Sequence, residues 1–303
     1  MDSRTGPGAI AERAARPWAV DQDRHLVDQL IDERSMELSR HLLWPLVKPL
    51  LLRFFHYRQA VRMVDDVADM SGWDAFTYLS DLLALKVDVL GIDNIPASGG
   101  FILAPSHPTG IADGIAIFDA LKHKRPDMAI FANRDAVRAA AGFRDMIIPV
   151  EWRAGEKSHS KSRDTLEMTA RAFAANKAIV LFPAGRIAYW NDGRLTERPW
   201  QNSVVALARR YNFPIVPANM TARNSGLFYF LSKYSTELRD ITIFHEFLNK
   251  KGNRFSITVG KPIPAAALAG DAVEVTASLQ HHTVAALAQD FDADFETDPA
   301  TCD

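Results

Sequence analysis

The feature that most constrains the fold is a change in residue pattern at the end of the first quarter of the chain. From residue 87 onward, short apolar runs of strand length alternate with stretches of helical character. This alternation is typical of an α/β protein, in which helices cover a sheet whose strands read as nearly continuous apolar runs. The pattern predicts a central mixed sheet of about seven strands flanked by helices. The predicted strands are 87–92, 101–106, 128–133, 146–152, 178–184, 214–220 and 254–260.

The chain before the sheet has a different pattern. Residues 1–25 contain several glycines and prolines and show no apolar period, which is typical of a loose tail. Residues 26–84 look helical, most clearly at 74–85, where apolar side chains recur at spacings of three and four. We therefore expect a tail and helical subdomain over 1–84, and a larger domain over 85–303 that ends in an acidic tail.

Two helix starts are predicted between the strands. Asp164 is a suitable N-cap for a helix over 164–177, because its short side chain accepts hydrogen bonds from first-turn amides. Pro199 fits the first turn of a helix over 199–211.

One apolar segment suggests contact with a membrane surface. No run of 18 or more apolar residues occurs, so no transmembrane helix is predicted. The segment 42–55 is strongly apolar but is interrupted by Lys48, Arg53 and two prolines. It suits either the bilayer interface or the core of the domain itself. The first 25 residues lack the apolar core of a secretory signal, so we expect a cytoplasmic protein, peripheral on the inner face of the membrane.

Composition and missing motifs exclude several function classes. A net charge of −2 is not that of a typical nucleic-acid binder. The single cysteine, Cys302, lies in the acidic tail, so neither an intrachain disulfide nor a buried thiolate nucleophile is expected. No nucleotide-binding glycine motif occurs, and the adjacent His281 and His282 cannot readily share one ion on a helix. We expect no metal and no cofactor.

The segment SHPTGIADG places His107 directly after an apolar strand and Asp113 just before the following helical run. Side chains beyond strand carboxyl ends are where open α/β sheets bind ligands. A histidine there can take a proton from a hydroxyl, and a carboxylate can fix its tautomer. The residues equally allow a histidine held by backbone groups and an aspartate that caps the helix.

A second strand, in VLFPAGR, also runs directly into a turn. Its Gly185 lets the backbone approach a ligand, and Arg186 offers a forked donor for phosphate or carboxylate. An ordinary loop with a solvated arginine fits these residues as well.

In this order and at this separation, the two segments resemble motifs of the glycerolipid acyltransferase superfamily. More narrowly, they are similar to its bacterial hemolysin-like and ornithine-lipid-type branch. SHPTGIADG resembles the family's histidine-aspartate motif, and VLFPAGR resembles the motif written FPEGTR. The resemblance extends over roughly 85–264 and includes IVPANM and NSGLFYFL.

The resemblance implies direct transfer of an acyl group to a hydroxyl, with His107 as general base and Asp113 as its partner. It also implies a set of substrate-binding residues. These are Phe182, Pro183, Gly185 and Arg186 for the acceptor, Val216 and Pro217 for the acyl donor, and Arg144 or Arg153 for an acceptor phosphate.

Two departures from the family pattern bear on the acceptor. Five residues separate His107 from Asp113 where four are commonest, and Ala184 stands where the motif has glutamate. The second change weakens the case for glycerol 3-phosphate or its monoacyl ester as acceptor.

These features together predict a membrane-associated O-acyltransferase. Its co-substrate is expected to be acyl-CoA or acyl-carrier protein (acyl-ACP). Its acceptor is expected to be a lysophospholipid or other lyso-lipid, such as lyso-ornithine lipid. A lipid or thioester hydrolase, and a non-catalytic membrane-associated protein with a vestigial site, remain as alternatives.

Overall fold

A computed structural model describes residues 24–151 and 159–297, and its centre is a seven-stranded sheet. All seven predicted strands are present and form this sheet, in the spatial order β1-β9-β8-β2-β5-β3-β4. The strands are β1 (Lys86–Leu90), β2 (Phe101–Pro105), β3 (Met128–Asn133), β4 (Ile147–Val150), β5 (Ala178–Val180), β8 (Ile215–Thr221) and β9 (Arg254–Val259). Neighbouring strands are parallel except for β8 and β9, which are antiparallel, so the sheet is mixed as predicted.

Helices precede the sheet and connect its strands. The predicted helical character of residues 26–84 is confirmed, since four helices lie there. The helices are α1 (Leu26–Glu33), α2 (Trp44–Phe54), α3 (Tyr57–Val67), α4 (Gly72–Leu83), α5 (Ile111–Leu121), α6 (Asp135–Ala139), α7 (His159–Ala174), α8 (Ser203–Tyr211), α9 (Gly226–Tyr234), α10 (Thr236–Asp240), α11 (Ile243–Leu248), α12 (Ala272–His281) and α13 (Leu287–Gln289).

Strand β2 lies at the centre of the sheet and is buried along its whole length. Its side chains alternate between two apolar clusters, because successive residues of a strand point to opposite faces. Phe101 and Leu103 pack with the cluster that includes α1, α3, α4 and α5, whereas Ile102 and Ala104 pack with the cluster of α7, α8 and α12. Helices α1 to α4 therefore share one core with the sheet, and a domain boundary at residue 85 stays a prediction.

Both predicted helix starts are wrong. Helix α7 begins at His159, and Asp164 lies inside it with its carboxylate paired to Arg134 at 3.0 Å and Arg144 at 3.2 Å. Helix α8 begins at Ser203, after Pro199. Just before this helix, the main-chain amide of Trp200 donates a hydrogen bond to the side chain of Gln280, which is distant in sequence, and not to a helical carbonyl.

An antiparallel hairpin was not predicted. Strands β6 (Tyr189–Asn191) and β7 (Arg194–Thr196) are joined by Asp192 and Gly193. Both of these residues have positive φ, at 47° and 78°. Asp-Gly is a favoured sequence for such a two-residue turn. The hairpin carries the chain from the VLFPAGR segment back towards β2.

Helix α2 packs on the protein by one side only. Trp44 is buried, whereas Leu46, Leu50 and Phe54 are 71%, 71% and 64% exposed. These three residues recur at a spacing of four and so form one apolar stripe on the helix. Within the described ranges, no helix is both long enough and apolar enough to cross a bilayer.

Candidate active site

Three chain segments meet at the carboxyl end of β2. Strands β5 and β8 flank β2 and run parallel to it, so the three strands end at the same edge of the sheet. The segments that leave them are 106–114 after β2, 181–188 after β5 and 222–226 after β8. This edge is where open α/β sheets place their ligand sites.

The first segment holds an assembled histidine-aspartate pair. His107 Nδ1 lies 2.9 Å from Asp113 Oδ2. The same carboxylate accepts the amides of Thr109 and Gly110, each at 2.9 Å, and the Thr109 hydroxyl. Because Asp113 is the acceptor of all these bonds, we assign the Nδ1 proton to His107, which leaves Nε2 as a proton acceptor. Asp113 is fully buried, and the His107 side chain is 17% exposed.

Asp113 bonds to the ring of His107 and also accepts the amide of Gly110 at the start of the helix, so the structure contains both contacts that the sequence left open, and the catalytic role stays a prediction. Asp113 occupies the first turn of α5, where a carboxylate also interacts favourably with the helix dipole. Within the five residues that separate His107 from Asp113, Gly110 has a φ of 101°, an angle that residues with a side chain rarely adopt. A β-carbon at this glycine would lie 2.8 Å from the side chain of Ile187, so the turn is closely packed as well.

The second segment packs against the histidine. The ring of Phe182 lies 4.4 Å from that of His107, centroid to centroid. The Gly185 amide donates to the carbonyl of Phe182 at 3.0 Å, and the Ala188 amide donates to the carbonyl of His107 at 2.9 Å. Arg186 is exposed and makes no hydrogen bond or ion pair with another described residue, so its guanidinium is available for an anion.

Other residues carried over from the resemblance lie below the surface. Pro183 is buried, and Val216 and Pro217 are buried inside β8, in register with Leu103 and Ala104 of β2. Val216 and Pro217 thus lie within the sheet, whereas Pro183 lies in the loop after β5. A direct contact between Val216 or Pro217 and the acyl donor stays a prediction.

The structure does not place Arg144 beside His107. Arg144 is paired with Asp164 and precedes β4, the edge strand. Strand β4 is three strand spacings from β2, or roughly 14 Å. Arg153 lies outside the described residues.

Glu197 belongs to the site although no sequence pattern indicated it. Its carboxylate accepts the main-chain amide of His107, with Oε1 at 3.0 Å and Oε2 at 3.2 Å. The indole of Trp200 donates to Oε1 at 3.4 Å. Burial raises the pKa of Glu197 to about 7, an effect that the charge of a protonated His107 opposes. In sequence, Glu197 is one acidic residue in a polar loop, and only the hairpin brings it to His107.

The third segment is fixed by a buried polar network. Asn224 donates its side-chain amide to the carbonyl of Thr109 at 3.2 Å. The neighbouring Ser225 donates its main-chain amide to Glu246 at 2.9 Å, and Glu246 pairs with the buried Lys250 at 3.1 Å. The histidine turn is therefore held from the β8 side as well.

Comparison with known proteins agrees with the geometry. Residues 86–221, which include the first two segments and end with β8, match the model of the Acyltransferase family. This match and the relatives described next support the glycerolipid acyltransferase superfamily. The prediction made from the two motif segments is thus confirmed at the level of the superfamily and of acyl transfer.

Relatives of this acyltransferase include two lyso-glycine lipid O-acyltransferases. The one from Phocaeicola vulgatus is 28% identical over 221 residues, which is 71% of this chain and 77% of that protein. The one from Bacteroides thetaiotaomicron is 24% identical over 220 residues, 71% of this chain and 79% of that protein. The crystal structure of the 1-acyl-sn-glycerophosphate (LPA) acyltransferase PlsC from Thermotoga maritima aligns with a TM-score of 0.46 at 15% identity, covering 86% of this chain and 94% of that one.

The raised pKa of Glu197 predicts a pH-dependent effect of Glu197→Gln on stability. A carboxyl group whose pKa is higher in the folded state, about 7 here against 4.5, binds more protons when folded, so it lowers the free energy of unfolding as pH rises from about 4.5 to 7. Glutamine does not titrate, so the substitution removes this pH-dependent loss of stability. We expect the stability of Glu197→Gln relative to wild type to increase by about 2–3 kcal/mol between pH 5 and pH 8. Urea denaturation at both pH values measures it, and a pH-independent difference would contradict it.

Proposed function

We propose that this acyltransferase moves a fatty acyl group from a thioester, acyl-CoA or acyl-ACP, to a hydroxyl of a lyso-lipid, with His107 as general base. The proposal is carried by the hydrogen bond between His107 and the buried Asp113 at the sheet edge. This arrangement orients the imidazole and leaves Nε2 free to accept a proton.

The proposed reaction needs no covalent acyl-enzyme. Nε2 of His107 takes the proton of the acceptor hydroxyl as its oxygen bonds to the thioester carbonyl carbon. The carbon-sulfur bond then breaks, and the imidazolium returns the proton to the departing thiolate. Asp113 stabilises the imidazolium between the two proton transfers.

Hydrolysis through a serine nucleophile is disfavoured by the position of Ser106. Its side chain is only 4% exposed, and its hydroxyl accepts the amide of Met220 at 2.8 Å. Ser106 therefore serves to join β2 to β8. A vestigial site is disfavoured by the complete set of hydrogen bonds around Asp113.

Two observations favour an acceptor with an amino-acid head group, such as lyso-glycine or lyso-ornithine lipid. Both curated relatives are named for lyso-glycine lipid. In addition, Arg144, the described candidate for binding an acceptor phosphate, is engaged with Asp164.

Several basic residues that could bind an acidic carrier protein are engaged within the chain. Lys122 pairs with Asp119 at 2.7 Å, and Lys250 is buried against Glu246. Arg125 is also buried and hydrogen bonded to Asp127. The acyl donor is therefore proposed as a thioester in general, with acyl-CoA and acyl-ACP distinguished by assay.

The exposed stripe of α2, formed by Leu46, Leu50 and Phe54, suits the interface of a bilayer. Insertion of an apolar helix face among the lipid acyl chains is favourable, because it removes apolar surface from water. Arg53 can remain at the level of the lipid head groups. We place the enzyme as a peripheral protein on the inner face of the membrane.

His107→Ala is expected to lower kcat by about 10²–10⁴, because it removes the general base. The matched control is His123→Ala, which truncates an exposed histidine away from the site and should leave kcat unchanged. Acyl transfer is measured with purified protein, lyso-lipid and both thioesters, and folding is checked by circular dichroism. Full transferase activity in folded His107→Ala would rule out this mechanism.

An acceptor panel tests the proposed substrate. Lyso-glycine lipid, lyso-ornithine lipid and lysophosphatidic acid of equal chain length are compared by kcat/KM, and we expect the two amino-acid lipids to exceed lysophosphatidic acid at least tenfold. Free fatty acid released equally with and without acceptor would instead indicate a hydrolase. A preference for lysophosphatidic acid would contradict the acceptor but leave the reaction intact.

Vesicle binding tests the role of α2. The triple change Leu46→Gln, Leu50→Gln and Phe54→Gln should weaken sedimentation with anionic phospholipid vesicles at least tenfold, since each buried apolar side chain contributes about 1.5–3 kcal/mol at most. The control triple changes three exposed apolar residues outside α2 to glutamine and should bind as wild type. Equal loss in both triples would refute a specific role for α2. The control residues are Leu166, Val273 and Phe291.

A further inference from the structure

Glu197 differs from several other buried charged groups of the described chain, which are paired with an opposite charge. Arg125 is satisfied by Asp127, and Glu246 by Lys250. Glu197, in contrast, has no lysine or arginine within ion-pair distance among the described residues. Its carboxylate is directed at the main chain of His107 instead.

The main chain of His107 is held on both sides by the hairpin segment. Its amide donates to both oxygens of Glu197, and its carbonyl accepts from Ala188 at 2.9 Å. Since β2 ends at Pro105, this amide has left the ladder of the sheet. The side chain of His107 is held separately by Asp113. The base is therefore fixed at three points, two of which depend on the hairpin.

The charge of Glu197 is as important as its geometry. A half-buried carboxylate without a cation is costly, because burial disfavours the ionised form. The titratable groups that act on the Glu197 carboxylate are His107 and Asp113. The next residue, Arg198, does not pair with Glu197, because its guanidinium lies over the ring of Tyr189. The cation that Glu197 can meet is therefore the imidazolium of His107.

We propose that Glu197 is a positioning residue for acyl transfer: it fixes the main chain of His107 and, when ionised, stabilises the imidazolium that forms as His107 takes the hydroxyl proton. This inference rests on the proposed function, in which His107 is the general base. It assigns two carboxylates to one imidazole, Asp113 at the ring and Glu197 at the main chain.

Glu197→Gln separates charge from shape, because the amide oxygen can still accept the His107 amide while the negative charge is lost. We expect kcat to fall about tenfold, with KM for donor and acceptor within twofold of wild type. The acidic limb of the kcat profile should move to lower pH, since the imidazolium loses a nearby negative charge. Glu197→Ala, which also loses the acceptor atoms, should lower kcat further, to about 10²-fold below wild type.

Asp192→Asn is the matched control. It removes one carboxylate from the exposed turn of the same hairpin, and asparagine tolerates the positive φ of this position. We expect its kcat and pH profile to match those of wild type.

The proposal is overturned if folded Glu197→Gln has the kcat and acidic limb of wild type. It is also overturned if only KM rises, which would make Glu197 a substrate-binding residue. These failures are distinguishable from failure of the proposed function, which is tested by His107→Ala. Loss of activity in His107→Ala together with an unchanged Glu197→Gln would retain the base and reject the role of Glu197.

Discussion

The site depends on the burial of one carboxylate, that of Asp113. An ionised group with no exposure is costly unless it is hydrogen bonded, and Asp113 accepts from the ring of His107, from two successive main-chain amides and from a hydroxyl. These bonds close the turn between β2 and α5. The same bonds orient the imidazole, so local folding and the chemistry of the site cannot be separated at Asp113. Loss of this carboxylate would leave several buried donors unsatisfied, whereas loss of the His107 side chain leaves the turn intact.

The parallel arrangement around β2 explains why distant segments serve one site. Strand β2 has β5 on one side and β8 on the other, and all three end at the same edge. The VLFPAGR turn therefore meets the histidine from one side, while Asn224 reaches Thr109 from the other. The antiparallel β9 lies beyond β8 and does not disturb this edge. The sheet thus brings motifs that are far apart in the sequence close together in space.

Much of this arrangement could be predicted from sequence because it depends on residues that are close together in the chain. The strands of the sheet are apolar runs or, in β1 and β9, alternate polar and apolar residues, and His107 and Asp113 are joined by a short turn with a glycine. Features that depend on distant partners were missed or misassigned. Asp164 looks like a helix cap but is held within α7 by Arg134 and Arg144, and Arg144 is thereby drawn away from the site it was expected to serve. Glu197 could not be identified, since its role comes from the return path of the hairpin.

The distribution of charge around His107 explains why the reaction is better defined than the substrate. Two carboxylates, Asp113 and Glu197, lie next to the base, where they favour the positive charge that proton transfer creates in the proposed mechanism. Arg186 and Arg223 lie exposed on the loops after β5 and β8 and make no hydrogen bond or ion pair with another described residue. In the proposed mechanism, proton transfer is governed by buried groups fixed within the fold, and the polar head of the acceptor meets exposed side chains at the rim. A change of head group can be accommodated at the rim without altering the pair below it, so the motifs that define the pair constrain the acceptor only weakly.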